Sequence, residues 1–220
     1  MATLVEESPG PPSDFEHDAS AEEHGHTSWK RFALLTVPAA VGAGALLFGI
    51  MNGAIAASFA VSGQQFKISA DEMRGEGVAI YGGIDYDLRQ NVHPVATAAI
   101  RDAEIDNLCQ SVLTEFPILG TVSLKLSAGT GDTPVHATNL FIDMTRMSGD
   151  TRFGDMEIGR DASTLDQGPA NARGMQDLFG MQGETLTVSG LEQTAWAANA
   201  GTFRLSGLDL AVARGDDECF

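Results

Sequence analysis

The chain is predicted to be mainly β, with one N-terminal transmembrane or signal helix ahead of an extracytoplasmic β-rich domain. Three observations predict this. The stretch Phe32 to Ala60 contains no charged residue and directly follows Lys30-Arg31. Beyond it, apolar and polar residues alternate at period two in one segment after another, the mark of half-buried strands. Helical periodicity is scarce in the same region, and Gly and Ser punctuate it instead.

Taken in order, residues 1–31 read as a disordered acidic tail. They carry seven carboxylates and Pro9, Pro11 and Pro12, with few large apolar side chains. The pair His24 and His26 lies on this tail, which offers no second shell to orient metal ligands. No metal site and no cofactor is expected.

Residues 32–56 form the predicted membrane segment. As a helix, Phe32 to Ile50 would extend about 28 Å, which matches a hydrocarbon core of about 30 Å. Cations at its start and none again until Lys67 place the N-terminus inside and the following domain outside. Two readings stay open. The segment is an uncleaved anchor, or Ala54-Ile55-Ala56 marks a cleavage site and the domain is secreted after Ala56. The Gly49–Gly53 spacing offers a helix-pairing face for a membrane-protein partner.

Residues 57–220 form the predicted β-rich domain. Val78, Ile80, Ile84, Tyr86 and Leu88 alternate with polar or small neighbours around Gly82-Gly83. Val122, Leu124 and Leu126 repeat the pattern, as do Leu140, Ile142 and Met144, then Leu186 and Val188. Ile100 to Val112 reads as a strand running into a turn. Phe203 and Leu205, then Leu208, Leu210 and Val212, read as two half-strands with a bulge at Ser206-Gly207. Residues 160–180 read as a long loop with a short helix around Met175–Phe179. A strand-Ser-Gly element recurs at 59–63, 186–190 and 203–207. It suggests an elongated β-roll or open jelly roll of stacked units, with an ordinary sandwich as the alternative.

The formal net charge is −17, which excludes nucleic acid as a partner, because phosphate binding needs clustered Lys and Arg. Cys109 and Cys219 are the two cysteines. In an oxidising compartment they can pair, tying down a chain end that Asp216-Asp217-Glu218 would otherwise leave to fray. Two free buried thiols are the alternative. The G-x-S-x-G elbow of many hydrolases is absent. Ser111 with His136 or His93 is the available nucleophile–base combination, and nothing local links them. Phe179, Met181, Trp196 and Phe203 lie close to turns among small residues, and an open sheet lined by them could cradle a lipid or sterol.

The acidic tail, single span, Leu108-Cys109-Gln110-Ser111-Val112, Ala137-Thr138-Asn139-Leu140-Phe141-Ile142-Asp143-Met144 and the closing run Ala200 to Leu208 resemble an uncharacterised actinobacterial family common in streptomycetes. Some of its members are labelled cholesterol esterase. The resemblance implies a lipid or sterol ester as ligand or substrate and supplies no catalytic residues. The expected function is therefore a membrane-tethered or secreted envelope protein that binds a lipid or sterol-like ligand on an apolar sheet face. A secreted sterol ester esterase and a structural envelope protein without a small ligand are the alternatives.

Overall fold

The computed structural model describes residues 62–220. The acidic tail, the apolar segment, its Gly49–Gly53 face and most of the first strand-Ser-Gly element lie outside the described residues. Within them the protein is mainly β. Nine strands are present: β1 (Phe66–Tyr86), β2 (Val92–Asp106), β3 (Leu108–Phe116), β4 (Gly120–Ala128), β5 (Val135–Gly154), β6 (Glu157–Asp161), β7 (Phe179–Asn199), β8 (Thr202–Arg204) and β9 (Asp209–Arg214). All their pairings are antiparallel.

The long strands close on themselves. β1 pairs β2, β2 pairs β5, β5 pairs β7, and β7 pairs back to β1. Followed residue by residue, Tyr81 lies opposite Thr97, Thr97 opposite Asp143, and Asp143 opposite Ala197. Two residues earlier on β7, Ala195 lies opposite Phe66 at the other end of β1. One turn of the circuit thus slips by about seventeen residues along β1, a steep stagger that requires strongly tilted strands. Closure removes sheet edges and encloses one face.

That enclosed face is the core. Ile68, Met73, Val78, Ile100, Ile105, Val135, Leu140, Ile142, Leu186, Val188 and Leu191 are all buried in it. Strict alternation fails twice along β1, where the burial pattern shifts phase after Ala70 and again at Gly77. Gly77 has φ +64° and breaks the otherwise continuous ladder between Glu76↔Asp102 and Val78↔Ile100. This local change lets Val78, Ala79 and Ile80 all be buried, each face meeting a different layer.

The second layer is small. Residues 161–178 cross the outer face over Ala79 and Ala99, where Leu165 and Ala172 pack. Two alanines on the strands leave room for this loop to seat. Asp161 pins both ends: its Oδ1 accepts from the Ser163 N–H at 2.9 Å and its Oδ2 from the Asp177 N–H at 2.7 Å. The Ser163 hydroxyl, which donates to Oδ1 at 2.6 Å, and these two N–H groups hold its carboxyl below the usual carboxylate range. The short helix is 3-10 and lies at Ala162–Thr164, not around Met175–Phe179, because Asp161 supplies the N-cap.

Two further expectations are corrected. The Ile100–Val112 strand does not end in a turn. Asn107, with φ +52°, kinks it, and β3 continues the β2 register along the same edge of β1. Ser206-Gly207 is a turn between separate strands rather than a bulge, since β8 pairs β5 whereas β9 pairs β4.

Candidate functional site

β3, β4 and β9 extend beyond the closed circuit, and their two faces differ. On one face, Cys219 is bonded to Cys109 and the Cys219 N–H donates to Ser111 Oγ at 3.0 Å. Lys67 Nζ reaches Glu218 Oε2 and the Phe220 carbonyl, each at 2.7 Å, and Lys125 Nζ reaches Asp217 Oδ1 at 2.7 Å. The C-terminal tail is therefore laid across β4, β3 and β1 and covers this face. These four hydrogen bonds and a covalent bond fix a segment that would otherwise fray.

The opposite face is apolar. Cross-strand partners share a face, so Val112, Leu124 and Val212 form one row and Gln110, Leu126 and Leu210 the next. Leu124 is 40% exposed, Leu210 58% and Val212 70%. The rows continue inward to Leu108 and Ala128, which are core residues, and Leu126 packs against that core. The apolar lining of the closed circuit thus runs out along β3–β4–β9 and is uncovered there. Among the described residues β9 pairs with β4 alone.

Inside the circuit there is little room. An apolar cavity of about 30 Å³ is lined by residues including Ile68, Met73, Gln110, Leu140, Gln193 and Phe203, enough for one water and far too small for a sterol. Gln193 is 1% exposed, its Nε2 lies 3.1 Å from Met144 Sδ, and its Oε1 has no protein partner. A larger recess of about 320 Å³ is a surface groove of polar character between Glu72, Asp150, Thr151, Arg152, Thr187 and Ser189.

A second constellation lies where β1, β2, β5 and β7 meet. Asp143 accepts from Thr97 Oγ1 at 2.5 Å. Burial raises the Asp143 carboxyl despite this bond, and burial plus the Asp143 charge push Tyr81 up to about 12. Asp85 is pushed up to about 6 by burial and by Asp143, against the pull of His93. Asp85 Oδ2 and His93 Nε2 are buried without a hydrogen-bond partner. The His93 ring stacks on Trp196 with centroids 3.9 Å apart and lies 3.6 Å from Asp87. Asp87 is a turn organiser: its carboxylate accepts from the N–H groups of Arg89 and Asn91 and from Asn91 Nδ2, which lowers it. Sequence reasoning found His93 and Trp196 separately and did not link Asp85, Asp143 and Tyr81 to them. Their alternation with apolar neighbours marked only a solvated face, and the crossing of four strands is what half-buries them.

The weak nucleophile and base candidates are not brought together. Ser111 is 1% exposed beneath the tail, its hydroxyl engaged with Cys219. His136 sits on β5, exposed, 3.6 Å from Glu104, and His93 stacks on Trp196. Nor do the four apolar residues form one face. Phe179 and Met181 begin β7, whereas Trp196 lies near its other end. Only Phe203, on β8, reaches the small cavity. Among the described residues no group of three His, Cys, Asp or Glu is placed to hold a metal ion.

No curated protein and no solved structure matches the chain. A family model does match, over residues 62–220, which is the whole of the β domain. The chain belongs to the family of unknown function DUF6230.

Proposed function

We propose that this protein is an exported, membrane-tethered envelope protein whose β domain binds a lipid or sterol-like molecule on the uncovered face of β3–β4–β9. The observation that carries the reading is that face itself. Leu124, Leu210 and Val212 present a contiguous apolar surface that leads into the core, whereas the reverse face of the same strands is sealed by the tail. A flat or branched hydrocarbon laid on it gains about 25 cal/mol for each Å² of apolar surface removed from water. The membrane tether comes from the charge-free stretch after Lys30-Arg31. A disulfide is in keeping with export. The resemblance to streptomycete proteins, some labelled cholesterol esterase, points to the same ligand class. Hydrolysis draws no support from the geometry, because the Ser111 hydroxyl is buried and bonded to the tail.

The test is photocrosslinking of the full chain in membranes with photoreactive sterol and fatty-acyl probes. Wild type is expected to be labelled on β4 or β9, and Leu210→Lys with Val212→Lys to lose roughly nine-tenths of the label, as charges on a desolvated face do. Equal labelling of the double variant, or none of wild type, rejects the reading.

A further inference from the structure

We infer that the turn joining β3 and β4 is a membrane-contacting foot, with Phe116, Ile118 and Leu119 seated in the interfacial layer of the bilayer. The inference rests on the membrane-tethered reading above and goes beyond it by assigning the domain an orientation. Hairpin turns are ordinarily built of Gly, Asn, Asp, Ser and Pro. This one is Phe116-Pro117-Ile118-Leu119-Gly120. Ile118 is 95% exposed, Leu119 53% and Phe116 46%. Pro117 and Gly120, at φ +73°, supply the turn chemistry, so the three apolar side chains between and beside them are not needed to make it.

Position supplies the occupant. β3 pairs the start of β1, with Ser111 opposite Lys67 and Cys109 opposite Ser69. Its last residues run on past Phe66, and Thr114 Oγ1 donates to Gln64 Oε1 at 3.1 Å. The apolar turn therefore lies at the end of the domain where the chain enters at Ser62. The predicted span reaches Ala56, and five residues, 57–61, separate it from that entry point. Fully extended they cover at most roughly 20 Å. The entry end of the domain must stay within that distance of the bilayer, and the apolar turn is at that end. Leu88, 86% exposed, lies on the turn after β1, and the stagger brings that turn back to the entry point, where a Cβ on Gly63 would stand 3.9 Å from Asp87 Oδ2. The exposed Asp132 follows the end of β4 opposite the apolar turn and marks the end of the domain away from it. With a formal net charge of −17, seating is driven by apolar burial and not by attraction to anionic lipid.

The full chain is reconstituted in vesicles of zwitterionic lipid, with an environment-sensitive fluorophore on Ile118→Cys, on Leu119→Cys or on Asp132→Cys; the native cysteines are bonded and do not react. Alkaline extraction first reports whether the chain is integral. Probes at 118 and 119 are expected to shift to the blue and to lose roughly half their emission to a lipid-attached quencher, while 132 stays in water. The shift is expected to be the same with added anionic lipid and in high salt. An extractable chain overturns the tether and the foot together. An integral chain whose 118 and 119 probes stay in water, or behave like 132, overturns the foot alone. Shielding in cell membranes but not in pure lipid assigns the turn to a protein partner and likewise overturns the foot.

Discussion

Two residues show how much of this fold depends on single positions. Gly77 stands at φ +64°, and a Cβ there would meet the Gln167 carbonyl at 2.6 Å. The glycine thus serves both the phase shift of β1 and the close approach of the 161–178 loop. Gly77→Ala is expected to cost on the order of 2–3 kcal/mol, lowering Tm by roughly 5–10 °C in thermal unfolding. Asp85 acts through charge. Its folded value of about 6 lies above that of an ordinary carboxyl, so between about pH 4 and pH 6 the folded state holds a proton that the unfolded chain releases. By linkage, this group's contribution to stability falls as pH rises across that window and is lost above it. Asp85→Asn is therefore expected to raise Tm by roughly 2–4 °C at pH 7.5, with the gain shrinking towards pH 4. A gain of equal size at both pH values would show that the charge is not the cause.

At the scale of elements, the loop of residues 161–178 and the C-terminal tail are both covers, held in different ways. The loop depends on Leu165 against Ala79 and Ala99, and on Gln182 Oε1 accepting from the Asp166 N–H at 2.8 Å. Leu165→Ala is expected to cost about 2–4 kcal/mol and to open the loop to limited proteolysis between residues 161 and 178 before the domain unfolds. The tail is held by the Cys109–Cys219 bond across a separation of 110 residues. Replacing both cysteines by serine is expected to lower stability by about 2–4 kcal/mol and to speed hydrogen exchange of β9 and β4. Unchanged exchange there would mean that Lys67 and Lys125 suffice to seat the tail. The strands of these elements were legible as alternation in 122–127, 140–145 and 185–189. Their lengths were not, because β1 and β7 each run for 21 residues through phase shifts that look like strand ends.

For the whole molecule, the decisive feature is the closed circuit with an extension left outside it. Closure fills the interior and leaves an apolar cavity of about 30 Å³, too small for a sizeable apolar ligand. Filling the interior is expected to be tolerated: Gln193→Met removes an unpartnered buried oxygen and should leave Tm unchanged or raise it by a few degrees. A fall of roughly 5 °C or more would indicate that a bound water completes the Gln193 hydrogen bonds. The β-rich class was legible in the sequence because period-two alternation is a local property. The stacking suggested by the strand-Ser-Gly elements was misleading as a guide to position. Residues 186–190 lie inside an unbroken β7, whereas 203–207 end β8 in a turn.

By itself the sequence determined the mainly β class, the acidic character and the long loop at 160–180. Each of these depends on residue type, composition or near-neighbour spacing. The tertiary structure alone decided which face of which strand is uncovered and where Asp85, Asp143, Tyr81, His93 and Trp196 converge. It also decided that the Phe116–Leu119 turn lies beside the point where the chain enters the domain. The physical reason is that antiparallel registers link residues more than a hundred positions apart, as Phe66 and Ala195 are linked. A steep stagger around a closed circuit leaves no trace in local alternation.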